Sequence, residues 1–264
     1  MKIYIINLKR RTDRKEKILE QLQNLGITNY EFIEAIDGQD YKDVNEIGNV
    51  KLMKRHGFEL SKNEAASGAS HRLAYQKIID SGERGIIFED DVIIDEKFTE
   101  MINIDIPDKV DLLLYGYFTS NTRNEHSKEQ SYPYEIMSQI KTEKGDNSIC
   151  YFKNEFLELN GYKYYKIDEH SYNVDMVHGA HAYSPSIEFC KLLSTIQHKI
   201  IYPADDIWNH LKCFDPKLVV NYYALLKPLV YQNTTISSDL VAERQKKHHS
   251  DYIVQRMSRN DFGI

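Results

Sequence analysis

Cysteine is scarce in this chain. The three residues, Cys150, Cys190 and Cys213, lie far apart, and no two form a Cys-x-x-Cys pair. This spacing argues against a disulfide framework and a ribbon-type zinc site, and it suits a reducing compartment. Long apolar runs are also missing: none approaches the roughly 20 residues that cross a bilayer. The first run, Ile3 to Leu8, meets Lys9-Arg10-Arg11 at once and is too short for a secretory leader. A cytoplasmic protein is expected, with any contact at the inner membrane peripheral. Positive charge is not in excess. The 34 Lys and Arg against 40 Asp and Glu leave a net charge of −6, which disfavours a nucleic-acid partner. Repeats, low-complexity tracts and a domain-scale linker are absent as well. Tryptophan occurs once, at Trp208, whereas tyrosine occurs 19 times. Tyrosines line sites for polar ligands such as sugars, and they are equally ordinary packing residues.

What is present suffices for a large core: 41% of the 264 residues are hydrophobic and 28% are charged. Lys2 to Leu8 reads as a buried parallel strand. A helix follows from about Arg14 to Leu25, with Ile18, Leu19, Leu22 and Leu25 on one face. Thr12 or Asp13 is its expected cap and Gly26 its end. Tyr30 to Ile36 reads as a second strand. Strand, helix, strand is the unit that opens a doubly wound sheet. Residues 40–60 read as a loop with short helical turns. Ser61-Lys62-Asn63-Glu64 is a capping box opening a helix that runs to Ile79. The first half of that helix carries only small side chains, so it should approach a backbone or a ligand closely. Further strands are expected at 86–88, 110–116, around 176–183 and at 218–226, with a helix from Ser184-Pro185-Ser186 through Leu193. A polar stretch at 119–148 reads as a surface loop or lid. The expected organisation is one domain over 1–235 and a charged helical tail over 236–264.

The chemistry gathers at Gly85-Ile86-Ile87-Phe88-Glu89-Asp90-Asp91-Val92. An apolar strand ends in three adjacent acids that repel one another. A solvated turn tolerates such a cluster, and a hard divalent cation with substrate phosphates in its shell offsets it. Arg10, Arg11 and Arg14 follow the first strand, where a sheet of this kind binds ligand, and they suit a diphosphate or a base. His71 lies one turn into the small-residue helix. His178 and His181 flank Gly179, and either suits a metal shell as neutral imidazole. Asp205-Asp206 follows Pro203 and opens a short helix. One of the pair either caps that helix or serves as a general base. The tyrosines of the 119–170 stretch, Tyr162, Tyr164 and Tyr165 among them, are candidates for stacking on sugar faces.

These pieces agree in order with a known family. Ile5-Ile6-Asn7-Leu8 with Arg10 to Arg14, Ala35-Ile36-Asp37-Gly38, Glu64 with Gly68 and Ser70-His71, and Phe88 to Val92 come first. Gly179 to Ser184, Pro203 to Asp206 and Lys227 to Gln232 complete the series. Through them the chain resembles glycosyltransferase family 25, which includes lipooligosaccharide glycosyltransferases and collagen galactosyltransferases. Many members carry Glu-x-Gly-Cys where this chain has Glu64-Ala65-Ala66-Ser67-Gly68.

The resemblance implies an α/β fold with a GT-A-like, Rossmann-type mixed sheet flanked by helices. It also implies a UDP-sugar donor, galactose foremost, an Mn²⁺ or Mg²⁺ cofactor, and inverting transfer to a glycan or glycolipid acceptor such as lipooligosaccharide. Asn7, Arg11, Arg14, Asp37, Ser70, His71, Glu89 and Asp90 fall to the donor, and Asp91 and His181 to the metal. Asp205 or Asp206 is the expected catalytic base. Two rival expectations share the acidic strand end: a metal-dependent phosphoryl hydrolase or nucleotidyltransferase, and a non-catalytic sugar-nucleotide-binding module.

Overall fold

The computed structural model describes residues 1–55, 59–119, 152–167, 177–225 and 228–233. The expected tail, and residues 120–148 of the expected lid, lie outside them. An eight-stranded mixed sheet forms the centre. Its strands are β1 (Lys2–Asn7), β2 (Tyr30–Glu34), β3 (Gly85–Glu89), β5 (Leu112–Thr119), β6 (Phe152–Leu159), β7 (Tyr162–Ile167), β8 (Val177–Pro185) and β9 (Tyr222–Leu225). They stand in the order β2-β1-β3-β8-β5-β9-β7-β6, and a separate ribbon pairs β4 (Val92–Ile94) with β10 (Val230–Gln232). β1 is parallel to both β2 and β3, while β8 runs antiparallel between β3 and β5.

The period-2 pattern of the strands divides the core in two. Ile3 and Ile5 of β1, Ile86 and Phe88 of β3, and Leu113 and Tyr115 of β5 face one side. They pack there with Ile18 and Leu22 of α1 (Thr12–Asn24). Tyr4 and Ile6, Ile87, and Leu112 and Leu114 face the other side. There they meet α2 (Val50–Arg55), α3 (Lys62–Ser81) and α4 (Ile187–Ile196) through Met53, Ala66, Ile78, Phe189 and Leu193. The architecture is a Rossmann-like mixed sheet flanked by helices, as expected. No helix among the described residues is long and apolar enough to cross a membrane.

The local signals hold at the start of α3. Ser61 Oγ accepts from the Glu64 amide, and Glu64 Oε2 accepts from the Ser61 amide at 2.8 Å. The small residues that follow let α3 lie against backbone: a methyl at Gly68 would stand 3.6 Å from the Tyr202 carbonyl. Gly26, at φ +66°, ends α1 as expected. The cap of α1 differs from the expectation. The helix begins at Thr12, and its N-cap is Arg11, with no side-chain cap bond. Asp13 instead accepts from Arg11 Nε and Nη2, both at 2.9 Å.

The hairpin β6–β7 carries the tyrosines that were candidates for stacking on sugar faces. It turns at Asn160-Gly161, both at positive φ, which is the backbone a two-residue turn needs. Of its tyrosines, Tyr164 is fully buried, and its hydroxyl donates to Met101 Sδ, so it packs in the core and stacks on no sugar. Tyr162 donates to Glu100 Oε2.

Candidate functional site

The chain leaves β1 for β2 on one side and returns to β3 on the other. The carboxyl ends of β1 and β3 therefore flank the point where strand order reverses, the usual crevice for a ligand in such sheets. Asn7 ends β1 and Glu89 ends β3. The turn Asp90-Asp91 then leads into β4. Asn7 Nδ2 donates to Asp90 Oδ2 at 2.7 Å and to the Arg11 carbonyl at 3.1 Å. Arg14, inward-facing on α1, donates through Nη1 to Asp90 Oδ1 at 2.8 Å and lies 3.2 Å from Asp91 Oδ2. Asp90 is thus gripped on both oxygens at the switch point.

Its neighbour is held less completely. Asp91 is 5% exposed, and its Oδ1 is buried with no hydrogen-bond partner among the described residues. Burial, followed by the charge of Glu89, pushes its carboxyl up to about 7 against the pull of Arg14. Asp90 is also raised, by burial foremost. Glu89 goes the other way. Burial works against its ionisation, but the His71 hydrogen bond and the charges of His71, His181 and Arg14 outweigh it and hold the carboxyl below the usual range. The physical content is a shared shortage of positive charge. Asp90 and Asp91 share one guanidinium while Glu89 leans on His71, so Glu89 ionises more readily than its neighbours and Asp91 bears the cost.

The other face of Glu89 meets α3 and β8. His71 Nε2 lies 3.3 Å from Glu89 Oε1, and His71 Nδ1 lies 2.8 Å from the Tyr183 hydroxyl. From the ribbon, Gln232 Nε2 stands 3.5 Å from both Glu89 Oε2 and Asp91 Oδ2. Pairing of Gln232 with Val92, and the Asn233 amide on the Asp91 carbonyl at 2.7 Å, fix its place.

His181 sits beside this cluster because β8 is irregular. Its register against β5 shifts on either side of Gly116, and Gly179 takes φ +127°. A methyl on Gly116 would lie 2.2 Å from the Val230 carbonyl and 2.4 Å from His181 Nε2, so only glycine admits both neighbours. Burial lowers the His181 pKa, while the charges of Glu89 and Asp205 and a hydrogen bond to Val230 oppose that shift. The net lowering favours the neutral ring, the form in which imidazole binds metal.

Asp205 and Asp206 separate in role. Asp206 is the N-cap residue of the 3-10 helix Ile207–Cys213 without making a side-chain cap bond. It is 3% exposed, and its Oδ2 lies 3.2 Å from His210 Nε2. His210 in turn stacks on Tyr202, with ring centres 4.8 Å apart. Asp205 is half-buried and close enough for His181 to feel its charge.

The structure therefore brings Asn7, Arg14, His71, Glu89, Asp90 and Asp91 into one cluster, with His181 and Asp205 beside it. Others are placed elsewhere than expected. Ser70, 1% exposed, donates to the Ala66 carbonyl at 2.7 Å and accepts from the Ile36 amide at 2.9 Å, so it fastens α3 to the end of β2 rather than reaching a donor. Asp37 accepts from Arg10 Nε at 2.5 Å and from the Gln39 amide. Arg11 turns to Asp13. Arg14, expected on the nucleotide, serves as counter-ion to Asp90 and Asp91. Sequence reasoning missed two members, Tyr183 and Gln232. Both stand inside motifs it quoted, but neither carries a charge that would draw attention.

The donor set bears on the implied cation. No three His, Cys, Asp or Glu side chains among the described residues form a metal-holding group. A cation bridged to phosphates needs only one or two protein carboxylates. The buried, unbonded Oδ1 of Asp91 in a cluster short of positive charge fits that need.

A Rossmann-like mixed sheet with an acid cluster at its topological switch point defines a class, the α/β proteins that bind ligands at the carboxyl ends of their strands. Comparison with known proteins narrows it. The family model described as "Glycosyltransferase family 25 (LPS biosynthesis protein)" matches residues 1–208. The chain belongs to this glycosyltransferase family. A protein of Acanthamoeba polyphaga mimivirus, named as a glycosyltransferase, is 38% identical over 105 residues, a match that covers 39% of this chain and 32% of that protein. The chain thus spans about a third of the length of that relative.

Proposed function

We propose that the cluster transfers a hexose, galactose foremost, from a UDP-sugar to a hydroxyl of a glycan or glycolipid acceptor such as lipooligosaccharide, with inversion at the anomeric carbon. The observation that carries this reading is the unbonded Asp91 oxygen, buried at the switch point of a chain of this family. Asp91, with His181 beside it, would hold Mn²⁺ or Mg²⁺. The bound ion would neutralise charge on the departing diphosphate. Glu89, ionised and steadied by His71, accepts hydrogen bonds from donor hydroxyls. Asn7 and Arg14 keep Asp90 in place and so set the turn that presents Asp91.

Inversion requires a base on the face opposite the leaving group. Asp205 fits better than Asp206. It is half-buried, whereas Asp206 lies in the interior beside His210. The proton taken from the acceptor hydroxyl passes to Asp205 as the new glycosidic bond forms and the bond to UDP breaks. Association with the membrane, if the acceptor is a glycolipid, is peripheral in this reading.

The test is a panel of UDP-sugars with Mn²⁺, following UDP release with and without a chelator. Chelator-sensitive turnover of one sugar, UDP-galactose first, is the expected result. A folded protein that releases UDP from none of them, yet frees phosphate or nucleotide from other substrates, would favour the phosphoryl-transfer alternative.

A further inference from the structure

A chain of buried polar contacts runs from the edge of the cluster into the core. It starts at Glu89, 26% exposed on its side chain, and passes to His71 Nε2 at 3.3 Å. It continues from His71 Nδ1 to the Tyr183 hydroxyl at 2.8 Å, and the Tyr183 hydroxyl lies 3.1 Å from that of Tyr75. His71, Tyr183 and Tyr75 are at most 3% exposed. The shortest of these contacts is the one furthest from chance, between a helix side chain and a strand side chain that packing alone need not align.

We propose that Tyr183 is a positioning residue that acts through His71: its hydroxyl fixes the imidazole, and the imidazole fixes the Glu89 carboxylate toward the donor. The claim that a donor is what Glu89 meets rests on the function proposed above.

Three features support it. An imidazole turns about a broad torsion, so one contact at 3.3 Å does not set its orientation; a second contact on the opposite nitrogen does. Tyr183 is itself immobile. It pairs with Ile87 in the sheet, and its ring meets Trp208 edge-on with centres 5.5 Å apart. Its ring also lies nearly parallel to His71, at 22°. Finally, burial holds both tyrosines as neutral hydroxyls, able to bridge without adding charge. A carboxylate accepts and never donates, so the ring nitrogen facing Glu89 carries a proton. The bridge keeps that N–H aimed at one oxygen of Glu89.

Tyr183→Phe tests this, because it removes one oxygen and keeps the ring. In the wild type the imidazole N–H of His71 should give a slowly exchanging proton resonance, identified by its loss in His71→Asn. In Tyr183→Phe that resonance should broaden away. UDP affinity in the presence of Mn²⁺, read by titration calorimetry, should fall about tenfold. With the UDP-sugar found active, the loss should appear in KM, with kcat changed by less than about twofold. Tyr75→Phe, one contact further out, should give a smaller change of the same sign, and it carries the test if Tyr183→Phe does not fold. A folded Tyr183→Phe that keeps both the resonance and wild-type UDP affinity overturns the proposal. If the wild type itself binds no UDP, the donor reading falls, and the resonance still decides whether Tyr183 holds His71.

Discussion

Two pairs of adjacent aspartates, Asp90-Asp91 and Asp205-Asp206, stand at opposite ends of the candidate site's chemistry, and the fold treats them alike. In each pair one member is pinned. Asp90 is held by Asn7 and Arg14, and Asp206 faces His210, which stacks on Tyr202. The other member is left short of partners or nearer to solvent. Asp91 keeps one oxygen without a hydrogen bond among the described residues, and Asp205 is half-buried. Both carboxylates of the first pair are buried and reach the same Arg14 nitrogen, so what separates them is how completely their oxygens are bonded. The lesson is that the two members of a doubled acid can be held quite differently. The structure is needed to say which is which.

The sharpest way to break this comparison is to mutate both members of the second pair. Asp205→Asn should lower transfer by about 10²- to 10⁴-fold, the usual range for losing a general base, with UDP affinity and melting temperature unchanged. Asp206→Asn should cost about 1–3 kcal/mol of stability, because it alters a buried pair with His210, and it should affect turnover less. Thermal melts and initial rates on the same two proteins decide it. If Asp206→Asn kills activity at full stability while Asp205→Asn is silent, the assignment is reversed.

The first pair yields a pH dependence. The Asp91 carboxyl is raised from 3.8 to about 7 in the folded state. A raised acid favours the fold while protonated. Its contribution is fully present below the unfolded value near 4 and is lost as pH rises through about 7. The metal-free protein should therefore lose stability across that window, and Asp91→Asn should lose less. Above pH 8 the variant should be the more stable of the two by an amount on the order of 1 to 3 kcal/mol, while its Mn²⁺ binding is lost. Denaturant midpoints at pH 5 and pH 8 read this. Equal midpoint shifts in wild type and variant would show that Asp91 carries no such burden.

The legible part of the fold was local. β1, α1 and β2 follow one another and announce themselves by period. The capping box at Ser61 and Glu64 closes within four residues, and the acids after Phe88 mark a strand end that a single sequence can display. The cluster's partners were harder to read. Arg14 was expected on the nucleotide, and nothing in its neighbourhood says that it turns toward Asp90. The hairpin β6–β7 did carry its signal, Asn160-Gly161 between Leu159 and Tyr162, but the polar stretch before it hid the strands. Asp206 and His210 stand four apart, a spacing that meets on a helix. Asp206 was read instead as a cap or a general base. Gln232 was beyond reach: β10 pairs with β4 only after most of the chain has intervened, and long-range register of that kind leaves no local trace.

Gln232 also gives the gentlest test of the contrast between Asp90 and Asp91. Its amide is 3.5 Å from Asp91 Oδ2 and from Glu89 Oε2, long for hydrogen bonds, so each contributes little. The contact lowers the Asp91 pKa, against the larger effects of burial and of Glu89 that raise it. Gln232→Ala removes that help, so the Asp91 carboxyl should titrate somewhat higher still. A cation must displace the proton to bind, so Mn²⁺ affinity at pH 6.5 should fall by about two- to fivefold. At pH 9, where Asp91 is ionised in both proteins, the difference should close. Mn²⁺ titrations followed by electron paramagnetic resonance at the two pH values measure the ratio directly. A loss that is the same at both would mean that Gln232 acts as a ligand in its own right. No loss at either would leave Asp91 governed by burial, Glu89 and Arg14 alone.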